Sequence, residues 1–489
     1  MNTEALFPKD SVWPRIAWGV FLLGSVALLA ITADTRAAAT FLLTAAVTVA
    51  LAWRFPYAML AAWMPLSFLL GVQIMVSTGY YRVGERSFGT TLELTIGEVV
   101  ALGLVAAWGL RILLLWRGRR DRYWQPILPL VLPFAALALA HFVSYLGPGQ
   151  PALGEVLRFV GRYQIFVYLS CIALVLNFVR SKKRLRQMLV AMTIMGAIFA
   201  VDGLRNMVVF GSGGFGIRQA QPAAILEVNP LGGNQHSLAE TLIVCMGCAL
   251  AFAAIASPTS KRRRLALMAA GLMFIVTILT FSRTAWIVLA LEGLVLGATV
   301  FREDVRKYRE WIRYGFYAAI PLGLLMVAYS LTTGSLGSLD ARASLTAIAW
   351  TMFQGSPIFG VGAGTFVGRV TNSYAYLVDF GVPLDSHGII QKVGAEAGLL
   401  GLAALLWTLI ETVRLAVEAW KRIPRNRPEY TAYAVLATTA GALFCYQLTS
   451  TSYWTPRLWV PIGLMLAAGK IFGSQETTRE PDFLRPGHG

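Results

Sequence analysis

Two arginines and a histidine, far apart in the sequence, have the clearest chemical potential in this chain. Arg283 stands in TFSRTAW, Arg342 in ARASL and His387 in DSHG. A guanidinium binds phosphate through parallel N–H donors, and a neutral imidazole, with an ordinary pKa near ~6.5, can accept a hydroxyl proton. These cations predict an anionic ligand, because no cluster of carboxylates accompanies them.

Simpler roles remain open for each of these residues. Arg283 can reach the membrane surface as an ordinary interfacial arginine. Arg342 can pair with Asp340 in solvent, and His387 can be an interfacial residue at the end of a membrane span. If His387 does take part in a reaction, it can act as a base or only position a phosphate oxygen.

Four further polar residues are candidates for substrate binding. They are Arg218, Asn234, His236 and Arg457. Asn234 and His236, in NPLGGNQH, suit either sugar hydroxyls or turns. The two arginines add positive charge on the same predicted side of the membrane, so we expect them to attract the same anionic substrate.

The elements that position these residues follow from composition. The chain has 489 residues, of which 56% are hydrophobic and 14% charged, with a mean hydropathy of +0.62, whereas soluble proteins have roughly 25% charged residues. Long apolar runs predict an all-α polytopic membrane protein with about 14 transmembrane helices, since a bilayer core takes ~20 residues per helix. The expected spans begin near residues 12, 37, 57, 95, 126, 163, 187, 237, 265, 285, 314, 388, 431 and 457.

The distribution of the +17 net charge predicts orientation. Basic clusters follow every second predicted span, as in residues 180–186 and 302–313, and such clusters face the cytoplasm in membrane proteins. Both termini are then cytoplasmic. We exclude nucleic acid as a partner, because a phosphate-binding stripe would be contiguous rather than divided by helices.

The longest predicted outward loop spans residues 332–387, and a loop of this length usually has a function. Apolar residues recur with helical spacing from Leu345 to Phe353, which predicts a short amphipathic helix with Asp340 as N-cap and Arg342 in its first turn. Its apolar face docks on the helix bundle or on membrane lipid. The glycines of residues 355–366 predict a tight connection, because a dinucleotide fingerprint would need another spacing and a preceding strand.

The span after His387 carries a second pattern. Lys392 and Glu396 are four residues apart, so we expect them to pair within the membrane. Gly394 and Gly398 form a G-x-x-x-G pair, which favours close helix contact. The sequence predicts a reactive beginning and a structural interior for this span.

The order of TFSRTAW, ARASLTAIAWTMFQGSPIFGVGAGTF and DSHGIIQKVGAEAGLLGL resembles the O-antigen ligase and polymerase superfamily of bacterial envelope glycosyltransferases. The resemblance covers roughly residues 215–420. It implies functional importance for an arginine in the S-R hairpin, an arginine before the amphipathic helix and a histidine before the last motif. These correspond to Arg283, Arg342 and His387. Members often have asparagine after this histidine, where this chain has Gly388.

The resemblance also implies an organisation and a reaction. Residues 1–210 supply N-terminal transmembrane helices, 211–430 the ligase-like catalytic region with the periplasmic loop 332–387, and 431–489 C-terminal helices and a cytoplasmic tail. The expected reaction transfers or polymerises an undecaprenyl-diphosphate-linked glycan, with inversion, onto a glycan or lipid A core acceptor at the bacterial inner membrane.

Metal and cofactor requirements are predicted from the charge pattern. Arginines can stabilise a diphosphate leaving group without a metal, so we expect no divalent ion and no cofactor. The alternative function is a transporter of an envelope precursor that uses the intramembrane carboxylates Asp202, Glu292 and Glu396. A transporter of this kind would need broken helices in two related halves.

Overall fold

The computed structural model is mainly helical. It describes residues 35–77, 80–83, 86–89, 92–115, 128–148, 151, 153–209, 218–224, 229–232, 234–310, 313–314, 317, 337–381, 383–450 and 454–474. Within these residues, four helices are long and apolar enough to cross a membrane: Leu153–Phe178, Lys182–Val209, Gln235–Ile255 and Ile389–Arg422. The predicted multi-pass helical fold is therefore confirmed, while the total of 14 spans stays a prediction.

The helices are numbered here in chain order. They are α1 Thr35–Arg54, α2 Pro56–Leu66, α3 Ile96–Leu115, α4 Val131–Val143, α5 Leu153–Phe159, α6 Val175–Phe178, α7 Lys182–Val209, α8 Gln235–Ile255, α9 Lys261–Leu279, α10 Arg283–Thr299, α11 Arg302–Lys307, α12 Gly337–Gly355, α13 Phe366–Thr371, α14 Tyr374–Phe380, α15 Ile389–Arg422, α16 Pro428–Gln447 and α17 Pro456–Gly473. A 3₁₀ turn at Ser144–Leu146 follows α4, and π-helical turns at Val160–Phe166 and Tyr168–Leu174 connect α5 to α6.

Most predicted span positions coincide with helices. The starts expected near residues 37, 57, 95, 126, 187, 237, 265, 285, 388, 431 and 457 each lie within five residues of an observed helix start. The helix expected near residue 163 begins earlier, at Leu153, because it carries polar residues ahead of its apolar stretch. The span expected near residue 12 lies outside the described residues, as does nearly all of the one expected near 314.

Two short antiparallel pairs of strands add to the all-α prediction. Strand β1 at Gln73–Ser77 pairs with β4 at Leu92–Thr95, and β2 at Tyr80–Val83 pairs with β3 at Arg86–Gly89. Ile74 lies opposite Leu94 in the first pair. These strands lie between α2 and α3, where their alternation is too short to be separated from an irregular connection in the sequence.

Helix α8 lies at the centre of the bundle. It packs mainly against α7, α9 and α16, and its side chains are buried on all sides from Leu238 to Ala249. A helix that is apolar all round is stable only when it is surrounded by other helices or by lipid. Its first residues are thereby held at one end of the bundle, next to the ends of its neighbours.

The predicted loop 332–387 is largely helical in its described part. Helix α12 begins at Gly337, so Asp340 lies in its first turn and not at the N-cap, and Arg342 follows one turn later than expected. The predicted apolar face does pack: Leu345, Ala349 and Met352 are buried in a small second core. That core also contains residues of α13, α14 and α15, so protein covers this face of α12.

Helix α15 is broken at Gly398, which has φ 62° and ψ −155°. The glycine-rich segment 355–366 fills the break, because the Leu399 N–H donates to the Pro357 carbonyl at 2.7 Å and the Val361 N–H donates to the Ala395 carbonyl at 3.0 Å. A Cβ at Gly398 would meet the Ile358 backbone. Gly398 therefore admits a loop rather than the neighbouring helix that the G-x-x-x-G pattern suggested, and the loop satisfies the freed backbone groups.

Candidate functional site

A cavity of about 390 Å³ lies where several helix ends meet. The starts of α8, α10 and α17, the end of α16, the segment before α15 and one face of α12 all contribute to it. Its lining residues are Leu70, Gly71, Leu231, Gly232, Asn234, His236, Ser237, Glu240, Thr284, Arg342, His387, Tyr446, Thr449, Ser450, Thr455 and Arg457. Helix N-termini favour anions. We call this space the cationic cavity, since Arg342 and Arg457 line it and Arg283 adjoins it.

Arg283 is placed by a tight turn between α9 and α10. Phe281 has a positive φ of 53°, which is rare for a bulky residue and reverses the chain within a few positions. The Ser282 hydroxyl then caps α10 by accepting from the Ala285 N–H at 3.4 Å. Arg283, the first residue of α10, is exposed, and its charge acts on both Arg342 and His236.

Arg342 projects from α12 beside the buried residues Ala341 and Leu345. Burial, and then the nearby charge of Arg283, lower the pKa of its guanidinium below its ordinary value. Neither the Arg283 side chain nor the Arg342 side chain has a hydrogen-bond or ion-pair partner within the described part of the chain. Burial and the charge of Arg283 both disfavour the charged state of Arg342. An anion between the Arg283 and Arg342 guanidinium groups would therefore stabilise the charged state of both.

His387 lies just before α15, with its ring half-buried. Its Nδ1 lies 3.2 Å from the Asp385 carbonyl oxygen, and since a carbonyl only accepts, Nδ1 must carry the hydrogen. A neutral ring then has Nε2 as its acceptor. Burial, followed by the charge of Arg342, lowers the pKa of His387 below 6.5, so the ring is neutral at pH 7.

A buried charge network holds the backbone that precedes His387. The Lys392 Nζ lies 2.6 Å from an Asp385 carboxylate oxygen and 3.2 Å from Glu396 Oε1. Glu396, completely buried, also accepts from the Phe366 N–H at 3.0 Å. The predicted Lys392–Glu396 pair is confirmed, and Asp385 completes it. The same Asp385 supplies the carbonyl that orients His387, so the buried network of α15 fixes the position of the residue that was expected to be reactive.

Gly388 makes the contact that brings α15 against the end of α16. A Cβ at this position would lie 2.7 Å from the Leu448 carbonyl oxygen. The Gly388 carbonyl also accepts from the Ser386 hydroxyl at 2.9 Å. This close approach leaves little room for a side chain at the position after His387.

His236 and Asn234 lie at the start of α8, on the wall of the cationic cavity. Asn234 caps the helix through its side-chain oxygen, which accepts from the Ser237 N–H at 2.8 Å. His236 Nδ1 lies 3.0 Å from Ser282 Oγ, and the Tyr446 hydroxyl donates to the His236 carbonyl at 3.2 Å. Hydrogen bonds of His236 thus tie the start of α8 to the turn that carries Arg283.

Arg457 also lines the cavity but is charge-balanced. Its guanidinium lies 3.6 Å from a Glu240 carboxylate oxygen, and both residues are at most 2% exposed. It donates to the Leu231 carbonyl at 2.5 Å, and Glu240 also accepts from Gln447. The structure therefore places Arg457 in a buried ion pair, in contrast to Arg283 and Arg342.

Arg218 is not among the residues that line the cavity. Its side chain is exposed and donates to the Val208 carbonyl at 3.0 Å, near the C-terminal end of α7. Cations at helix C-termini are stabilised by the unpaired carbonyl groups. The structure therefore does not bring Arg218 to the cationic cavity, because a local contact holds its side chain at the end of α7. Its role in substrate binding stays a prediction.

Sequence reasoning missed two residues of this cavity. Glu240 is a carboxylate inside an apolar helix, which is costly without a partner, so its presence was a usable signal. Tyr446 gave no signal, because one tyrosine near a helix end is typical of a membrane interface. No group of three or more His, Cys, Asp or Glu side chains suited to a metal occurs among the described residues. The expected absence of a divalent ion stays a prediction.

The helices and the cavity define a multi-pass helical membrane protein with a cationic site at one end of its bundle. Residues 268–406 match the family model described as O-antigen ligase. This segment contains Arg283, Arg342 and His387, so the resemblance noted in the sequence is confirmed for this region. No curated protein matches the chain.

Proposed function

We propose that this protein is a membrane glycosyltransferase that transfers or polymerises a glycan carried on undecaprenyl diphosphate. The main support is that Arg342 and a neutral His387 line one cavity which Arg283 adjoins, and that neither arginine has a carboxylate partner in the described residues. The O-antigen ligase match covers the same residues. A diphosphate would balance the two guanidinium charges, and the apolar bundle provides a surface for the prenyl chain.

The proposed reaction needs one proton transfer and one displacement. The acceptor hydroxyl oxygen attacks the anomeric carbon, forming the new glycosidic C–O bond while the C–O bond to the diphosphate breaks. The electron pair leaves on the diphosphate oxygen, where Arg283 and Arg342 stabilise the developing charge. The hydroxyl proton passes to His387 Nε2. Attack opposite the leaving group inverts the anomeric carbon.

The neighbouring polar residues suit the acceptor or the attached sugars. Asn234, at the exposed start of α8, and His236, two residues later, present polar groups on the cavity wall. Arg457, held by Glu240, would shape this wall more than bind an anion. Arg218 would contribute to substrate binding only outside the cavity.

The proposed orientation follows from the distribution of charge. With the basic clusters in the cytoplasm, about 14 spans, and both termini cytoplasmic, the cationic cavity opens to the periplasm of a bacterial inner membrane. A lipid-linked donor at that surface would meet a glycan or lipid A core acceptor. A ligase and a repeat-unit polymerase both fit this geometry, with a protein oligosaccharyltransferase as a third possibility.

The transporter alternative is less well supported. The three carboxylates that it would use hydrogen bond within the protein. Asp202 accepts from the Ala223 N–H at 3.0 Å, Glu292 accepts from the Thr439 hydroxyl at 2.5 Å, and Glu396 pairs with Lys392. These contacts favour structural roles for the three acids.

Alanine substitutions test the proposed function. Arg283→Ala, Arg342→Ala and His387→Ala should each reduce glycan assembly at least a hundredfold, since they remove charge stabilisation or the proton acceptor. Arg205→Ala removes an exposed arginine of α7 that does not line the cavity, so it is the matched control and should retain activity. All variants should be inserted in the membrane at equal amounts. Full activity in the three site variants, or transport lost only on changing Asp202 or Glu292, would contradict the proposal.

The glycans of a deletion strain decide between ligase and polymerase. Loss of a ligase should leave full-length lipid-linked chains and bare core on a gel. Loss of a polymerase should leave single repeat units on the lipid A core.

A further inference from the structure

A second cavity, of about 190 Å³, adjoins the cationic cavity. Leu70 and Thr455 line both spaces, so a molecule bound in one can extend into the other. We call it the side cavity. It is formed by residues of α2, α3, the π-helical turns before α6 and the start of α17, which lie outside the segment matched by the O-antigen ligase family model.

Aromatic rings form much of the wall of the side cavity. Trp63, Tyr163, Phe166 and Trp454 line it. Trp63 and Trp454 are almost completely buried, at 1% and 6% exposure, whereas Tyr163 and Phe166 are partly exposed. Small-molecule sites typically combine aromatic walls with a few polar groups. The flat faces of such rings suit the apolar C–H face of a sugar ring.

One ion pair supplies the charged groups of this cavity. Arg162 Nε donates to Glu98 Oε1 at 2.7 Å, and its Nη2 donates to Glu98 Oε2 at 2.9 Å. The Thr95 N–H also donates to Glu98 Oε2 at 2.7 Å. Because this guanidinium is matched by a carboxylate in a two-point contact, the side cavity offers polar edges without net charge.

The backbone at the side cavity is unusual. Arg162, Tyr163 and Phe166 lie on the π-helical turn Val160–Phe166, and Ser170 lies on the next one, Tyr168–Leu174. π-helical turns are rare and occur frequently at functional sites. Here they bring a charged residue and two aromatic rings onto one wall.

We propose that the side cavity binds an uncharged sugar ring of the glycan while the diphosphate occupies the cationic cavity. This inference rests on the proposed function. A paired Glu98–Arg162 fork can hydrogen bond hydroxyls on the rim of a sugar, while aromatic rings cover its face. An anion would find no uncompensated cation among the described residues that line this cavity, and a prenyl chain would offer the buried polar groups no hydrogen-bond partner.

Binding measurements on the full chain in lipid nanodiscs test this assignment. The probes are inorganic pyrophosphate, farnesyl diphosphate and an oligosaccharide released by mild acid from the organism's own envelope polysaccharide. Tyr163→Ala should weaken oligosaccharide binding at least tenfold in saturation-transfer NMR titrations and leave pyrophosphate affinity unchanged. Glu98→Gln should weaken oligosaccharide binding to the same extent without weakening pyrophosphate binding, since it also frees the Arg162 guanidinium. Ile165→Ala, an exposed residue on the same π-helical turn, is the matched control and should change neither.

The outcomes separate this inference from the proposed function. Unchanged oligosaccharide affinity in both Tyr163→Ala and Glu98→Gln overturns the sugar site. So does a loss confined to farnesyl diphosphate, which would indicate a prenyl-chain site. Unchanged pyrophosphate affinity in Arg342→Ala would instead overturn the proposed function. If Tyr163→Ala fails to insert, the near-isosteric Glu98→Gln decides alone.

Discussion

The cationic cavity and the side cavity adjoin each other and both contain arginine, yet they differ in how that charge is balanced. Arg162 in the side cavity is held by both oxygens of Glu98, and Arg457 is matched by Glu240. Arg283 and Arg342 have no such partner within the described residues. A cation that is kept without a carboxylate indicates an anionic ligand, whereas a paired one serves structure or hydrogen bonding.

The Arg457–Glu240 ion pair should contribute more to the stability of the protein than the unpaired Arg283 and Arg342. Arg457→Leu leaves the Glu240 carboxylate buried without a counter-charge, and breaking a buried pair typically costs about 3–5 kcal/mol. We expect a large loss of resistance to thermal unfolding in detergent, measured by fluorescence. The double variant Arg457→Leu with Glu240→Leu should recover part of it. A single variant as stable as the wild type would contradict the structural role.

Adding a carboxylate to the cationic cavity should balance its arginine charge, as Glu98 does in the side cavity. Thr284 lines the cationic cavity next to Arg283. Thr284→Asp would pair with a free guanidinium and compete with a diphosphate, so we expect transfer to fall about 10²–10³-fold, the size of losing one charged donor. Thr284→Asn, nearly the same in shape, is the control for sterics. Equal losses in both variants would refute a charge effect.

Displacing His387 should reduce the rate of transfer less than changing the charge of the cationic cavity. Gly388→Ala places a methyl group near the Leu448 carbonyl, which would push the His387 segment away from α16. We expect about a tenfold loss of turnover with little change in donor binding, because a small misplacement affects the reacting group alone. A rise in KM for the donor at constant turnover would show that Gly388 acts through binding instead.

The pH profile should report the effect of Arg342 on His387. Burial and Arg342 lower the pKa of His387, so the neutral base persists to a pH below 6.5, and the rate should fall only under more acidic conditions. In Arg342→Lys, which keeps the charge, this acid limb should stay in place. In Arg342→Gln it should move to higher pH, because the repulsion of the imidazolium is gone. An acid limb at the same pH in Arg342→Gln would contradict this coupling.

The helices, and the proximity of Arg283, Arg342 and His387, could be predicted from the sequence. Apolar runs indicate helix positions directly, and the Lys392–Glu396 pair follows from helical spacing. The sequence could not predict which arginines lack a carboxylate partner. Arg457, Arg342 and Arg283 cannot be distinguished in the sequence until their partners in the structure are known. Only the packing of α17 against α8 pairs Arg457 with Glu240.

The break in α15 and the side cavity were also beyond the sequence. The G-x-x-x-G spacing of Gly394 and Gly398 predicts a helix contact, because this pattern does not distinguish a close helix from an inserted loop. Arg162 and Glu98 are 64 residues apart, and a π-helical turn has no reliable sequence pattern. Both features depend on which segments meet in three dimensions.

The most direct measurement is a cryo-electron microscopy map of the full chain with undecaprenyl diphosphate in nanodiscs. Arg283 and Arg342 should both contact the diphosphate at hydrogen-bond distance, about 3 Å, with His387 Nε2 facing the adjacent space for the acceptor hydroxyl. A diphosphate bound away from these two arginines, or His387 turned out of the cavity that holds it, would contradict the central claim.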